Sequence, residues 1–235
     1  MTLPFARMPT SWILHEQRLT TLSWTRAGSS ATAALTLYIA LLIAHNRKRL
    51  DSPADKSDEV RMTYGAIEER TGVSRAKIAP ALHILESELE LVQIERSHAG
   101  NAFTIVDIHA TPFAQLPQTV LYDPKRRALR CLSNFTLRSK FELGALKLYL
   151  AILALRNTRT GTASVGYEKL VEYTGVRRSD ISRCIGHLIN LELIAVSSAV
   201  DGFHSSSGGH PHNVYRPLGL STRSPDQNPA AGADD

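Results

Sequence analysis

Two stretches of the chain are apolar on almost every side. Residues 33–46 and 141–157 carry hydrophobic side chains at most positions, without the broad polar face of a surface helix. Their length fits helices better than single strands. The pattern therefore predicts two core helices, each buried on most sides, with Tyr38 and Tyr149 as packing residues.

The same succession of patterns follows each apolar stretch. A polar loop leads to a short strand, two helices separated by a tight turn, and two strands that form a hairpin. In the first half we predict a strand at 60–63, helices at 64–71 and 74–88, and hairpin strands at 91–96 and 102–108. In the second half we predict a strand at 163–165, helices at 167–174 and 177–190, and hairpin strands at 193–198 and 213–218. The fold class is therefore mainly α with small β-wings, an α+β protein.

Internal similarity explains why the two halves share one pattern. Three segments recur in the same order, at offsets of 108, 111 and 103 residues: 5–9 with 113–117, 34–42 with 145–153, and 64–73 with 167–176. The sequence thus predicts an internal duplication that gives two tandem winged helix-turn-helix modules. We place them at residues 1–110 and 111–220, and we expect residues 221–235, rich in Pro, Ala and Asp, to be a disordered tail.

The second helix of the second module has two distinct faces. Gly175 is placed where the preceding helix must end in a left-handed residue. An apolar stripe recurs at helical spacing and predicts the buried side: Val176, Ile181, Ile185 and Leu188. Polar and basic residues fall on the other side: Arg178, Ser179, Ser182, Arg183 and His187. A basic second helix after a tight turn is the part of a helix-turn-helix that enters the DNA major groove.

Composition favours an acidic partner. The chain has 235 residues and a formal net charge of +5, with a sequence pI near 9.4, which suits double-stranded DNA. The chain has only two cysteines, Cys131 and Cys184, far apart in the sequence. This argues against a disulfide framework and against a structural zinc site with its closely spaced ligand pairs, so a reducing cytoplasm is expected. The apolar run 31–44 is too short to cross a bilayer and no signal peptide is visible, so we expect no membrane partner.

The start of the basic helix carries the closest resemblance to a known family. Residues 176–183 read Val-Arg-Arg-Ser-Asp-Ile-Ser-Arg. This run resembles the opening of the recognition helix in bacterial winged-helix regulators. The resemblance implies that Arg178, Ser179, Ser182 and Arg183 face the groove, where arginines donate to guanine or hold phosphates. Arg177 adds a further positive charge at the same end of the helix.

The equivalent helix of the first module is a weaker candidate for a DNA-recognition helix. Residues 73–80 read Val-Ser-Arg-Ala-Lys-Ile-Ala-Pro. Ser74 is a suitable N-cap whose hydroxyl can accept an early backbone N–H. Pro80 deletes a helical hydrogen bond and predicts a kink. We therefore expect fewer base contacts from this helix, mainly through Arg75 and Lys77.

Two other polar clusters have alternative interpretations. Lys125, Arg126 and Arg127 form either a solvated turn or a clamp on the DNA backbone between the modules. The predicted hairpin tip at 199–212 contains His204, His210 and His212, which lack Cys or carboxylate partners at metal-binding spacing. We interpret that tip as a surface loop, or as a loop that reaches the minor groove, and we predict no metal site.

The predicted architecture resembles the tandem winged-helix replication initiators of plasmids and other mobile elements, and more generally bacterial transcription regulators. The resemblance implies a covalent pseudo-dimer that reads two successive major grooves through half-sites that need not be identical. It also implies a protein that is associated with the nucleoid or a plasmid and recruits replication or transcription machinery. No catalytic constellation or nucleotide-binding loop is present in the sequence, so we expect neither an enzyme nor a cofactor. Whether the chain also forms a homodimer stays open. The alternative is a protein–protein adaptor like the winged-helix accessory subunits of chromosome condensation, which are typically acidic.

Overall fold

The structure is a mixed α+β fold with small antiparallel sheets. It is a computed structural model that describes residues 5–97, 100–130, 132–198 and 213–220. The helices are α1 (Ser11–Leu14), α2 (Trp24–Ala27), α3 (Ser29–Asp51), α4 (Tyr64–Thr71), α5 (Arg75–His83), α6 (Gln118–Leu121), α7 (Lys140–Leu155), α8 (Tyr167–Thr174) and α9 (Arg178–Asn190). The strands are β1 (Phe5–Pro9), β2 (Glu59–Met62), β3 (Val92–Glu95), β4 (Asn101–Ile105), β5 (Phe113–Pro117), β6 (Tyr122–Asp123), β7 (Ala128–Leu129), β8 (Ala163–Val165), β9 (Ile194–Ser198) and β10 (Asn213–Pro217).

The two halves have the same order of elements and the same strand order. In the first half α3, β2, α4, α5, β3 and β4 follow one another, and the sheet order is β2-β4-β3. In the second half α7, β8, α8, α9, β9 and β10 follow one another, and the sheet order is β8-β10-β9. Every pairing within these sheets is antiparallel. The helices predicted at 64–71 and 167–174 and the strand predicted at 163–165 have the bounds that the sequence predicted.

The repeated segments at 5–9 and 113–117 pair with each other. β1 and β5 form an antiparallel two-stranded sheet in which Phe5 is opposite Pro117 and Pro9 is opposite Phe113. This register places equivalent residues symmetrically about the central pair of Arg7 and Gln115. The Phe5 and Phe113 rings are stacked with centroids 6.5 Å apart. The segment that begins each half of the chain therefore joins it to the other half.

The core runs continuously through both halves. α3 and α7 pack against each other, and their buried residues belong to one hydrophobic cluster that includes Tyr38 and Tyr149, both fully buried. α3 has 23 residues, more than the apolar run suggested, and its length and composition alone would suit a membrane span. However, 83% of that apolar window is buried inside the protein, which is typical of a core helix.

Segments also cross between the halves. The 3₁₀ helix Arg18–Thr21 and α1 pack against α8, while β7 packs against α4. Leu19 in this 3₁₀ helix and Leu22 directly after it are buried. Each half is therefore covered partly by chain from the other half.

A threonine builds the turn between the two helices in each half. The Thr71 hydroxyl donates to the Ile67 carbonyl at 2.7 Å and accepts from the Val73 N–H at 3.1 Å. Thr174 likewise donates to the Leu170 carbonyl and accepts from the Val176 N–H. Both threonines are buried, so these bonds satisfy hydroxyls that water does not reach.

A left-handed glycine follows each of these threonines. Gly72 and Gly175 have φ of 72° and 63°, a conformation that is cheapest for glycine. The position predicted for Gly175 is confirmed. The repeated Thr-Gly-Val triplet is therefore explained by the turn geometry.

The second helices differ from the sequence expectation at their starts. Ser74 occupies the N-cap position of α5, but its side chain makes no capping hydrogen bond, so the predicted hydroxyl cap is wrong. The Ser74 carbonyl instead accepts from the Lys77 N–H at 2.8 Å.

α5 continues through Pro80 to His83, and the helix widens into a π-helical turn only at Ile84–Glu88. In α9 the predicted buried stripe of Val176, Ile181, Ile185 and Leu188 is confirmed.

Several predicted features lie outside the described residues. They are the hairpin tip at 199–212 with its three histidines, the tail at 221–235, and Cys131. Cys184 is described, and it is buried with a free thiol.

A buried lysine connects α7 to the start of the chain. Lys147 is 4% exposed, and its ammonium donates to the Leu22 carbonyl at 2.8 Å. Burial lowers the pKa of Lys147 from 10.5 to about 8. Thr36, at the equivalent position of α3, donates to the Thr32 carbonyl of its own helix instead. Lys147 therefore makes a contact with a distant segment of the chain, whereas the equivalent Thr36 bonds only within its own helix.

We expect Lys147 to make stability increase with pH on the alkaline side. Between about pH 8 and 10.5 the unfolded chain binds this proton more tightly than the folded chain, so the free energy of unfolding rises with pH. Lys147→Met keeps the side-chain volume and removes this proton. Denaturant unfolding at pH 7.5 and 10 should show the parent gaining about 1–3 kcal/mol relative to Lys147→Met. The exposed Lys56→Met is the control, and parallel pH profiles for parent and Lys147→Met would contradict the expectation.

Candidate nucleic-acid interface

The outer face of α9 collects the basic residues that the sequence singled out. Ile181, Cys184, Ile185 and Leu188 are buried against the rest of the protein. Five of the predicted DNA-binding residues are exposed: Arg177, Arg178, Ser179, Ser182 and Arg183. His187 is half-buried. Cys184 faces α7 at Gly144, where an added Cβ would come within 2.5 Å of its Sγ. This close helix contact presses the apolar stripe inward and leaves the basic residues in solvent.

Arg178 is exposed but paired. Its Nη1 contacts Glu168 Oε1, and its guanidinium lies 5.8 Å from the centroid of the Tyr167 ring. Both partners belong to α8. The Arg178 and Glu168 side chains are 64% and 77% exposed, and such surface pairs contribute at most about 1 kcal/mol. A phosphate or a guanine edge can therefore displace Glu168 at small cost.

Arg183 is held by an aromatic ring. Its guanidinium carbon lies 3.9 Å from the centroid of Phe141, at the start of α7. The ammonium of Lys140 lies 4.8 Å from the same centroid and 2.8 Å from Asp180 Oδ2. Stacking restricts the Arg183 side chain and leaves its N–H groups free to donate. The single acid on this part of α9 is thus compensated by Lys140.

The first half repeats the arrangement in part. Arg75 stands at the start of α5 as Arg178 does in α9, and its Nε lies 3.0 Å from Glu68 Oε2 of α4. Arg75 is 71% exposed at its side chain. Ser74 is exposed and Lys77 half-buried, and Lys77 has no ion-pair partner among the described residues. Both halves therefore hold the leading arginine of the second helix against a glutamate of the first.

The cluster at 125–127 lies on a short hairpin formed by β6 and β7. Asp123 Oδ1 accepts from the Lys125 N–H at 2.9 Å and from the Arg126 N–H at 3.3 Å, which fixes the turn. These backbone hydrogen bonds lower the pKa of Asp123. Lys125, Arg126 and Arg127 are exposed. Because β7 packs against α4, the hairpin is attached to the first half of the fold.

Three residues of this surface were not identified from the sequence. Lys140 and Phe141 sit about 40 positions before the residues they contact on α9, and no local pattern links them. Glu168 belongs to α8, for which the sequence predicted a helix but no role of its side chains. Its location one helix before Arg178 is a usable signal, since an acid on the first helix can reach the start of the second.

Within residues 5–97, 100–130, 132–198 and 213–220, no group of three or more His, Cys, Asp or Glu side chains is arranged to hold a metal ion. Asp58 does bridge two histidines, His45 at 3.1 Å and His109 at 2.8 Å. Burial lowers the pKa of His45 below its ordinary value. This contact ties the loop after α3 to the segment that leads into β5.

Comparison with known proteins adds no family to this description. No protein-family model matches the chain, and no curated protein matches its sequence.

Proposed function

We propose that this chain binds double-stranded DNA at specific sites through two winged-helix modules that arose by duplication. The observation that carries the proposal is the repeated arrangement of the two halves. Each has a three-stranded antiparallel sheet of the same strand order and a second helix that begins with an exposed arginine, Arg75 or Arg178. In winged-helix proteins this second helix enters the major groove.

Charge and surface chemistry support duplex DNA as the partner. The chain carries a net charge of +5. α9 and its N-cap residue together expose three arginines among small serines, which suits close approach to base edges and phosphates. As a working assignment we infer a replication initiator or transcription regulator of a plasmid or other mobile element. Selection of bound duplexes from a random pool separates these outputs, because iterated sites indicate an origin and a single operator indicates a promoter.

The adaptor alternative makes a different electrostatic prediction. When a protein releases counterions from DNA on binding, the logarithm of its affinity falls steeply and linearly with the logarithm of the salt concentration. An adaptor for another protein would show neither that slope nor a discrete footprint. Titration of the chain with random and selected duplexes at several salt concentrations distinguishes the two.

Arginine truncation on α9 should weaken specific binding. Arg178→Ala or Arg183→Ala should each lose about 1–3 kcal/mol of affinity for the selected site, because each removes a donor at the groove-facing end of the helix. The measurement is a salt-matched titration of the selected duplex. Arg159→Ala, an exposed arginine in the loop after α7, is the matched control. Equal binding by the parent, Arg178→Ala and Arg183→Ala would remove Arg178 and Arg183 from the reading role.

Removal of the competing carboxylate should strengthen binding. Glu168→Gln keeps the side-chain shape but frees Arg178 from its ion pair. Because DNA then no longer has to displace an ion pair that contributes at most about 1 kcal/mol, we expect the duplex affinity to rise several-fold. Glu172→Gln makes the same charge change on α8, at a residue whose nearest polar partner is Gln17 at 3.5 Å. A matching gain from both variants would show that net charge alone had changed.

The spacing of the two half-sites should be inflexible. The continuous core and the β1–β5 pairing support two second helices at a fixed separation. Insertion of about 5 bp between half-sites turns one of them to the opposite side of the duplex, and we expect affinity to fall to that of a single half-site. The same insertion outside the half-sites is the control. Undiminished affinity after the central insertion would mean that one helix alone reads DNA.

A further inference from the structure

A cleft of about 600 Å³ opens in the first half, between the end of α3, β2, α4 and the β6–β7 hairpin. Its volume is within the range of small-molecule sites. Five cations and three carboxylates line it together with an apolar floor. The cationic residues are Arg47, Lys48, Arg61, Arg70 and Arg127. We call this feature the arginine cleft.

Two of the three carboxylates, Asp55 and Glu59, pair with two of the cations, and Asp51 at the end of α3 is the third carboxylate of the lining. The Lys48 ammonium lies 2.9 Å from Asp55 Oδ2 and also donates to the Ser57 and Glu59 carbonyls at 3.0 and 2.8 Å. Arg61 pairs with Glu59 at 3.0 Å. These contacts fold the loop after α3 into a fixed wall of the cleft.

Three arginines of the cleft remain without an anion. Arg47, Arg70 and Arg127 have no ion-pair partner within the described parts of the chain, and each comes from a different element. The Arg47 guanidinium lies 5.0 Å from the centroid of Tyr122, which orients it. The three guanidiniums line one cleft from two helices and a hairpin. Their like charges repel one another, and an anion bound in the cleft compensates that repulsion. They present the planar donor pairs that suit a phosphoryl group.

Beyond these arginines the cleft offers apolar surface. Ala40, Ile43, Ala44, Val60 and Leu129 line it together with Tyr122. In the second half the segment from the other half of the chain brings buried Leu19 and Leu22 against the core, and Lys147 binds the Leu22 carbonyl. In the first half the β6–β7 hairpin likewise packs against α4 and buries Leu129, and the cleft lies beside this hairpin.

We propose that the arginine cleft binds a small phosphate ester with a flat, weakly polar body, in chemical class a nucleoside monophosphate. The phosphoryl group lies among Arg47, Arg70 and Arg127, and the body lies on the apolar residues beside Tyr122. A DNA phosphodiester carries a single negative charge, less than the terminal phosphate of a monoester at neutral pH, and a duplex is convex and too wide to reach the floor formed by Ala40 and Ile43. The proposal is independent of whether the second helices read DNA.

The test is calorimetric titration of the full chain with the four ribonucleoside 5′-monophosphates, their nucleosides and inorganic phosphate. We expect at least one nucleotide to bind, and its nucleoside and phosphate alone to bind at least tenfold more weakly. Arg70→Gln and Arg127→Asn should each weaken nucleotide binding at least tenfold. Asn suits position 127 because φ there is 53°, in the left-handed region that Asn tolerates. Arg49→Gln, on α3 but outside the cleft, should leave binding unchanged.

Thermal unfolding of each variant checks that the fold is retained, and Arg47→Gln supplies a further variant if one of the others unfolds. No binding of any nucleotide at millimolar concentration would overturn the proposal. So would equal effects of Arg49→Gln and Arg70→Gln. Displacement of the nucleotide by a short duplex of arbitrary sequence would also overturn it, in favour of DNA phosphate as the ligand.

Discussion

The structure depends on one constraint, the burial of two helices that have almost no polar face. α3 is buried without interruption from Ala31 to Asn46, and α7 from Glu142 to Leu153. Either half alone leaves part of such a helix in water, where each exposed apolar side chain costs about 1.5–3 kcal/mol relative to burial. The two helices therefore pack against each other, and the halves form one core.

That constraint explains why chain segments cross between the halves. The strands β1 and β5 pair with each other, residues 18–21 cover the second half, and the β6–β7 hairpin covers the first. One contact fixes each of two crossings. Lys147 binds the Leu22 carbonyl where residues 18–21 cover the second half. In the β1–β5 sheet the Arg7 guanidinium lies 3.6 Å from the Phe113 ring centroid. The outcome is a rigid pair, which supports the proposal that two second helices address one duplex at a fixed spacing.

The same packing separates the surface into two kinds of basic site. On α9 the arginines are exposed on a convex helix and are paired or stacked by Glu168 and Phe141, an arrangement that suits exchange with a polyanion. In the arginine cleft the arginines line a concave space with an apolar floor, which suits a small anion. Shape, more than charge, distinguishes the ligands proposed for the two sites.

The sequence by itself determined the local structure. Periodicity predicted the helices that became α4, α8 and α9 within about a residue, together with the buried stripe of α9 and the turn at Gly175, because these depend on neighbours within one or two turns of chain. Only the tertiary structure decided the β1–β5 pairing, the contact of Lys147 with Leu22, the Arg183–Phe141 stack and the cleft around Arg70 and Arg127. The paired residues here stand roughly 40 to 125 positions apart, and a pattern confined to one helix or strand carries no information on which distant side chain completes each contact.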